Sequence, residues 1–341
     1  MSNLIVGNRG QQFGGGIYCA GSIDPDEVPR IEYNVIAENG YTPSTIVTEH
    51  GGGVDCHGFK DKGPVINANV IYSNKASECG GGISLRSCTA ATVTNNVLFC
   101  NLAAGDGGAD GGGAISILGS TVTLVNNTIA SNTAVNDGAG LLVRDVAYIG
   151  SSVTVRNMIM WDDVQTGTFA PIEIAVLEDE EASELTVLYC DVEGGEGGCT
   201  KGLGCTINWD DESNINENPD FADPDAEPVE DRDYTLAEES PCLDAGTDSG
   251  APCLDRNHGL RPVGDGFDMG AYERGAEPGW TIPGDATLNC VVNLLDLLAI
   301  RDHLNNNVST GDNWLYDVNE DGRINILDLI FIRNRINNHC P

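Results

Sequence analysis

The chain has 341 residues, with 17 Lys and Arg against 52 Asp and Glu, a formal net charge of −35, 43 Gly and 12 Cys. This balance argues against nucleic acid as a partner, because a phosphate backbone requires clustered Lys and Arg. It argues equally against an anionic membrane surface, and no run approaches the ~18 apolar residues of a membrane span. The even number of cysteines, without zinc-type spacing, predicts disulfides and therefore an exported protein.

An Asn-containing repeat organises the first half of the chain. The pattern Asn-x-x-x-x-Asn recurs as Asn3/Asn8, Asn34/Asn39, Asn69/Asn74, Asn96/Asn101 and Asn127/Asn132, with weaker copies at Asn157/Asp162 and Thr186/Asp191. Gly clusters that begin at Gly14, Gly51, Gly80, Gly111 and Gly138 alternate with these pairs. Short alternating β-branched segments such as TVTLV at 121–125 indicate strands. One coil per repeat predicts a parallel β-helix; a leucine-rich repeat would require a Leu framework, which is absent.

Stacked coils place like residues above like at ~4.8 Å. We therefore expect the Asn columns to form amide ladders, and the Gly column to be where the chain turns with positive φ. The register directs Val54 and Cys56 inward and Asp55, His57 and Arg86 outward. The inward set also contains Ile17, Cys19, Ile83 and Leu85.

The same register makes predictions about the cysteines. Cys19 and Cys56 lie on adjacent coils within disulfide range, so they either pair or form a buried thiol stack. Three local pairs are predicted as disulfides: Cys199/Cys205, Cys242/Cys253 and Cys290/Cys340.

Residues 189–274 carry a more specific resemblance. They resemble the C-terminal part of bacterial right-handed β-helix surface proteins that end in a D-x-G-A-Y-E signature, here Asp268, Gly270, Ala271, Tyr272 and Glu273. With the repeats, the resemblance covers residues 1–275, clearest over 1–198 and followed by terminal coils and loops over 199–275. It implies a mainly β chain with a right-handed parallel β-helix. Such solenoids include pectate-lyase-like enzymes, adhesins and structural proteins, so the fold alone selects no function.

Two similar acidic segments follow a Pro/Gly linker at 276–283. The second segment places oxygen ligands at positions 1, 3, 5, 9 and 12 of a calcium loop, with Gly322 at position 6 and a backbone carbonyl at position 7. These ligands are Asp317, Asn319, Asp321, Asn325 and Asp328, with the carbonyl of Arg323. The first segment offers Asp285, Thr287, Asn289, Asn293 and Asp296, with the carbonyl of Val291. It carries fewer charges, so we expect it to bind calcium more weakly.

Duplicated loop–helix units without entering helices resemble a dockerin domain over residues 284–341. The resemblance implies two calcium sites and a cohesin-like partner, recognised through positions 10 and 11 of each loop. Those positions are Leu294/Leu295 and Ile326/Leu327. Because all four are apolar, either the partner face is hydrophobic or the module packs on its own chain.

Two functions remain open at this stage. Dockerins usually accompany polysaccharide-degrading enzymes, and the outward residues Asp55, His57 and Arg86 are candidate catalytic groups; the alternative is that they lie on a solvated solenoid face. The chain begins inside a repeat, so its first coil should be covered by further residues, another domain or another copy in a head-to-tail filament. The preferred hypothesis is an extracellular or cell-surface calcium-binding β-helix protein with a structural or attachment role. The alternative is a polysaccharide lyase or glycoside hydrolase attached to a surface or scaffold.

Overall fold

The computed structural model describes residues 3–21, 28–40, 48–105, 110–166, 172–277, 285–286, 291–306, 316–318, 322–334 and 338–339. The chain divides into two compact units. The larger contains Ser2–Ala251 and Pro262–Arg274, and the smaller contains Pro252–Arg261 and Gly275–Pro341. Each unit is described separately below.

The larger unit is a parallel β-helix built from three seven-stranded sheets, which confirms the predicted fold class. The Asn sheet, whose strands lie between the two Asn positions of each repeat, contains Leu4–Val6, Val35–Ala37, Val70–Tyr72, Val97–Phe99, Thr128–Ala130, Ile159–Trp161 and Asp191–Val192. The Gly sheet, which follows the Gly clusters, contains Ile17–Ala20, Val54–His57, Ile83–Arg86, Ile115–Leu118, Leu141–Arg144, Ile174–Leu177 and Cys199–Lys201.

The third sheet, here called the Thr sheet, contains Arg30–Glu32, Val65–Asn67, Ala91–Thr94, Thr121–Val125, Ser152–Arg156, Glu184–Leu188 and Thr206–Trp209. A short fourth sheet contains Lys75–Ala76, Leu102–Ala103, Thr133–Ala134 and Val164–Gln165. An antiparallel pair, Phe221–Asp223 and Asp233–Leu236, follows the last coil. Two 3₁₀ turns lie at Gly195–Gly198 and Val229–Asp231.

Aliphatic side chains from the three sheets fill the inside of the solenoid. Along the Thr sheet, Ile66, Val93, Leu124, Val155 and Val187 stand in register, one per coil, and all are completely buried. The predicted inward residues of the Gly sheet, Val54, Cys56, Ile83 and Leu85, belong to the same core, and Ile17 and Cys19 pack against it. Period-two alternation therefore gave the correct inward set.

The Gly clusters turn the chain where adjacent coils approach most closely. The Gly column turns the chain with positive φ, as predicted: Gly14, Gly51, Gly80 and Gly138 have φ between +57° and +68°, and Gly112 has φ +69° in the fourth cluster. At the next position there is no room for a side chain: a Cβ on Gly52 would lie 2.4 Å from the carbonyl oxygen of Gly81 on the adjacent coil.

Two columns of buried Asn side chains run along the β-helix, one at each end of the Asn-sheet strands. In the second column, Oδ1 of Asn101 accepts hydrogen bonds from the backbone N–H and from Nδ2 of Asn74, each at 3.0 Å. Its Nδ2 donates to the carbonyl oxygen of Ile71 and to Oδ1 of Asn132, each at 2.9 Å. Every hydrogen-bonding group of this amide is therefore satisfied inside the solenoid, and the amide ladder is confirmed.

The weaker copies of the repeat were predicted one residue out of register. Met158 and Asp163, not Asn157 and Asp162, continue the two columns, because they accept hydrogen bonds from Asn127 and Asn132. Asn157 has φ +50° and occupies the left-handed corner before the column, where Asn126 has φ +53°. Asn tolerates that conformation better than most residues, so sequence reasoning mistook a corner Asn for a ladder Asn. The predicted copy at Thr186 is also displaced, since Thr186 pairs with Thr154 in the Thr sheet.

The cysteines in the described residues contradict two predicted disulfides. Cys199 and Cys205 are both free thiols, because a corner of the solenoid separates the strands that they flank. Cys242 is a free thiol that donates to Asp191 at 3.2 Å, whereas Cys253 is disulfide-bonded. The pair Cys290/Cys340 lies outside the described residues.

Cys19 and Cys56 form a thiol stack, one of the two predicted alternatives, in which Cys56 is buried and Cys19 is half-buried. They are in register on adjacent Gly-sheet strands, both are free, and a side-chain hydrogen bond joins them. That hydrogen bond lowers the pKa of Cys19 to about 7, and it raises the pKa of Cys56 together with burial.

The D-x-G-A-Y-E signature fastens a C-terminal loop onto the Asn sheet. Nδ2 of Asn126 donates to the carbonyl oxygens of Asp268 and Gly270, each at 3.0 Å, and the N–H of Ala271 donates to Oγ1 of Thr128 at 3.0 Å. Gly270 has φ +86°, and a Cβ there would lie 2.8 Å from Thr128 Oγ1. The acidic residues of the signature accept backbone N–H groups of the same loop: Asp268 accepts from Asp244 and Arg274, and Glu273 accepts from Val263 and Asp268. These contacts account for the signature as a structural element.

The smaller unit is a duplicated loop and helix. Helix α1 spans Leu294–Asp302 and helix α2 spans Ile326–Arg333. Val291–Val292 and Asn338–His339 form a short antiparallel ladder. Its core contains equivalent residues from the two copies: Ala286 and Val318, Val292 and Ile324, Leu297 and Leu329, and Ile300 and Ile332.

Breaking the ladder should destabilise the β-helix strongly. Asn101→Ala leaves the two donors of Asn74, the Ile71 carbonyl and one acceptor of Asn132 without their partner. Since each buried polar group that loses its partner costs about 1–3 kcal/mol, we expect the free energy of unfolding to fall by ~3–5 kcal/mol in urea denaturation. Asn208→Ala, at an exposed position of the last Thr-sheet strand, is the matched control and should cost less than ~1 kcal/mol. Equal losses in the two variants would contradict the ladder's role.

A buried acid pair terminates the second ladder. Oδ1 of Asp163 accepts the N–H and Nδ2 of Asn132 at 2.6 and 2.9 Å. Its carboxyl group is coupled by a side-chain hydrogen bond to Glu173, which is completely buried. A hydrogen bond between two carboxyl groups requires a proton. Burial raises the pKa of both groups, and the charge of Asp163 raises that of Glu173 further, so we assign the proton to Glu173.

Asp163→Asn should stabilise the protein in a pH-dependent way. A raised pKa in the folded state means that stability is lost as the pH rises through that pKa. At pH 8 the variant removes one buried charge and restores an amide donor, so its free energy of unfolding should exceed the wild-type value by at least ~1 kcal/mol. The advantage should shrink toward pH 5 as the wild-type pair retains its proton. Asp162→Asn, at the exposed neighbouring position, should show a smaller change with pH. If the stability difference between Asp163→Asn and wild type increases as the pH falls, the assignment of a shared proton to the Asp163/Glu173 pair is wrong.

Candidate functional site

The described residues of the predicted calcium loops include those at the starts of the two helices in the smaller unit. Asn293 caps helix α1: its Oδ1 accepts the N–H of Leu295 at 2.7 Å, while Oδ2 of Asp296 accepts the N–H of Asn293 at 2.8 Å. Asn325, Leu327 and Asp328 repeat this arrangement at helix α2, with both distances 2.8 Å. Positions 9 and 12 of each predicted loop are therefore held together by a capping box.

Four carboxylates of the predicted loops are buried. Asp296 and Asp328 are fully inaccessible, and Asp285 and Asp317 are 4% and 8% exposed. Gly322 has φ +82° and donates its N–H to Oδ2 of Asp317 at 2.8 Å, which forms the tight turn that position 6 requires. Buried oxygen donors of this kind fit calcium, a hard cation. The carbonyl-bearing residues Val291 and Arg323 are described, whereas Thr287, Asn289, Asn319 and Asp321 lie outside the described residues.

Beside the loops, large apolar side chains are exposed. The predicted partner-binding residues Leu294, Leu295, Ile326 and Leu327 have exposed fractions of 60%, 58%, 62% and 52%, and Ile330 of helix α2 is 41% exposed. Exposed apolar groups concentrated on one small unit are characteristic of a binding surface. We call these five residues the apolar docking set.

The larger unit carries a separate polar cluster on the outside of the Gly sheet. The structure brings the three predicted residues together. The guanidinium of Arg86 donates to both carboxylate oxygens of Asp55, at 3.3 and 3.2 Å. His57 is the register partner of Arg86 on the adjacent strand. Arg86 also lies over the ring of Phe13, 4.2 Å from its centroid. Burial raises the pKa of Asp55, while Arg86 acts in the opposite direction.

This outward face is partly covered. Asp55 is completely buried although its register directs it away from the core. The turn that precedes each strand folds back over the strand, and a Cβ on Gly51 would lie 2.7 Å from Cβ of Asp55. The same turns bring in residues to which sequence reasoning assigned no role: Phe13, Glu49, His50 and Glu78.

Glu49, His50 and Glu78 offer three metal-ligating atoms that all lie within 4.8 Å of one another. Nε2 of His50 is 3.3 Å from Oε2 of Glu78, and the imidazole stacks on Phe13 with ring centroids 6.0 Å apart. Burial, followed by the charge of Arg86, lowers the pKa of His50 to about 4. These residues lie just before the Gly clusters and outside the strands, so the inward–outward alternation of the strands makes no prediction about them. Their position next to each Gly cluster was the signal in the sequence that could have identified them.

Comparison with known proteins supports the assignment of the smaller unit. Residues 283–337 match the family described as Dockerin type I domain, so the chain carries a dockerin domain, which implies docking to a cohesin. A solved structure, "Crystal structure of pectate lyase Pel9A", is similar with 12% sequence identity and a TM-score of 0.39, over 80% of this chain and 69% of that chain. A comparison with curated proteins gives no match. Among the described residues, no helix combines the length and hydropathy that a membrane crossing requires.

Proposed function

We propose that the protein is an extracellular attachment protein, whose dockerin domain binds a cohesin-like partner in the presence of calcium and whose β-helix is the part displayed. The observation that carries the proposal is the apolar docking set beside buried loop carboxylates. In both copies, the two exposed apolar residues lie between the capping Asn and the buried Asp of the loop.

Calcium would order this surface. It would be held by the carboxylates of Asp285 and Asp296 in the first loop and of Asp317 and Asp328 in the second, together with the Asn side chains and backbone carbonyls of the loops. Because Leu294 and Ile326 immediately follow the capping Asn residues, a change in loop geometry displaces them directly. A small domain with few buried apolar residues also depends on such an ion for stability.

The test uses the full chain against immobilised cohesin domains. Wild type should bind two calcium ions by calorimetry and should capture a cohesin only when calcium is present. The double variant Asp317→Ala/Asp328→Ala should bind one calcium ion and lose at least ~10-fold in cohesin affinity, because one half of the surface is no longer ordered.

A second variant distinguishes the contribution of the apolar docking set from that of bound calcium. Leu294→Asp/Ile326→Asp should retain both calcium ions and lose cohesin binding, whereas Leu203→Asp, a 92% exposed position in the larger unit, should change neither. If the chain polymerises with calcium in the absence of cohesin, the partner of the dockerin domain is a second copy of the chain and not a cohesin-like protein. Unchanged calcium stoichiometry in the Asp317/Asp328 variant would refute the loop assignment.

A second candidate function is cleavage of an acidic polysaccharide at the polar cluster. The observation that favours it is the convergence of Asp55, His57 and Arg86, with Glu49 and Glu78 nearby, on adjacent coils. In this function Arg86 would neutralise a uronate carboxylate or a developing anion.

Wild-type protein incubated with polygalacturonate should then release unsaturated or reducing products. Arg86→Gln should lower kcat by ~10²-fold, because it removes the charge at the cluster. Arg30→Gln, at a surface ion pair with Glu32, is the control and should retain the activity. The absence of products from wild type on a panel of acidic polysaccharides would eliminate this function.

A further inference from the structure

The residues immediately before the positive-φ Gly of each cluster form a column along the outside of the β-helix. Isolated parallel bridges join Phe13 to His50, His50 to Cys79, and Cys79 to Gly111, so these four positions are equivalent on successive coils. The residue before each of them is therefore also equivalent, which places Glu49 directly next to Glu78, with Asp110 on the following coil.

The backbone fixes the separation of these acids. The N–H of Glu78 donates to the carbonyl oxygen of Glu49 at 2.9 Å, and the N–H of Glu49 donates to the carbonyl oxygen of Gln12 at 3.0 Å. The backbones of neighbouring hydrogen-bonded coils lie about 5 Å apart, and a carboxylate oxygen of Glu49 lies within 4.8 Å of one of Glu78. Like charges this close repel unless a cation lies between them. The column thus places two carboxylate-bearing residues side by side on adjacent coils.

His50 adds a nitrogen donor to the same place. Its Nε2 is 3.3 Å from Oε2 of Glu78, and its ring is fixed by stacking on Phe13 at an interplanar angle of 13°. Its Nδ1 is buried and has no hydrogen-bond partner within the described ranges. The neighbouring cation, Arg86, is already paired with Asp55 at 3.2 Å.

We propose that Glu49, His50 and Glu78 bind a divalent transition-metal ion of the Zn²⁺ class through one imidazole nitrogen and two carboxylate oxygens. An imidazole ligand favours Zn²⁺, Co²⁺ or Ni²⁺ over calcium, which prefers oxygen donors. Three protein ligands leave at least one coordination position for water or a ligand oxygen. The site is therefore chemically distinct from the all-oxygen loops of the dockerin domain and does not depend on the proposed attachment function.

The test titrates the full chain with Co²⁺ in the presence of excess calcium, which keeps the dockerin loops loaded. One equivalent of Co²⁺ should bind and give visible d–d absorption, and Zn²⁺ should displace it. His50→Gln and Glu78→Gln should each weaken binding by at least ~10-fold. The control His258→Gln removes a histidine of the smaller unit, and it should bind as wild type does.

Two readouts exclude other sites. Binding at the Cys19/Cys56 thiols would produce a near-ultraviolet sulfur-to-cobalt band, which should be absent, and circular dichroism should be the same for all variants. Co²⁺ binding that survives His50→Gln, a sulfur-to-cobalt band, or no binding at micromolar Co²⁺ would each overturn the proposal.

Discussion

The hydrogen bond between stacked Asn side chains is the interaction on which the β-helix depends. A solenoid of short strands has to turn several times per coil, and each turn leaves backbone groups that no strand partner satisfies. The ladder amides supply those partners: each accepts a backbone N–H from the preceding coil and donates to a carbonyl oxygen inside the solenoid, as Asn96 does with Asn69 and Ile66. The same bonds fix which residue stands above which, so the register of all three sheets follows from them.

This fixed register also determines where chemistry can occur on the solenoid. Because one residue of each coil stands directly over its equivalent, a charged residue meets whatever the next coil carries at that position. Glu49 and Glu78 become neighbouring like charges in this way. Arg86 stands beside His57 and reaches diagonally to Asp55, whose own register partner is Ser84. At the end of the second Asn column the same rule brings a carboxylate into an amide position, where Asp163 is held next to Glu173.

The dockerin domain is stabilised differently from the β-helix. Its core is small, with five buried apolar residues among those described, and its loop carboxylates are buried beside it. Such a unit gains stability when a divalent cation neutralises those carboxylates. Its helices begin at capping Asn residues, so loop and helix act as one element. The apolar residues that follow the caps are exposed because the core is formed by the opposite faces of the two helices.

The sequence by itself determined the repeat, the inward residues of the strands, the amide ladder and the presence of a dockerin domain. Each of these depends on local periodicity or spacing, which a single chain displays directly. The sequence was less informative where one residue type serves two geometries. Asn157 looked like a ladder residue but occupies a left-handed corner. Cys199 and Cys205 looked like a local disulfide, although a corner of the coil separates them.

Only the tertiary structure decided what covers the outward face of the Gly sheet. The turns before the Gly clusters fold over the strands, which buries Asp55 and brings Phe13, Glu49, His50 and Glu78 to Arg86. Strand alternation says which side a residue faces, but it does not say whether another segment lies on that side. The acidic composition likewise gave the total charge of −35, whereas coil stacking decided which carboxylates meet, since that depends on contacts between residues about thirty positions apart.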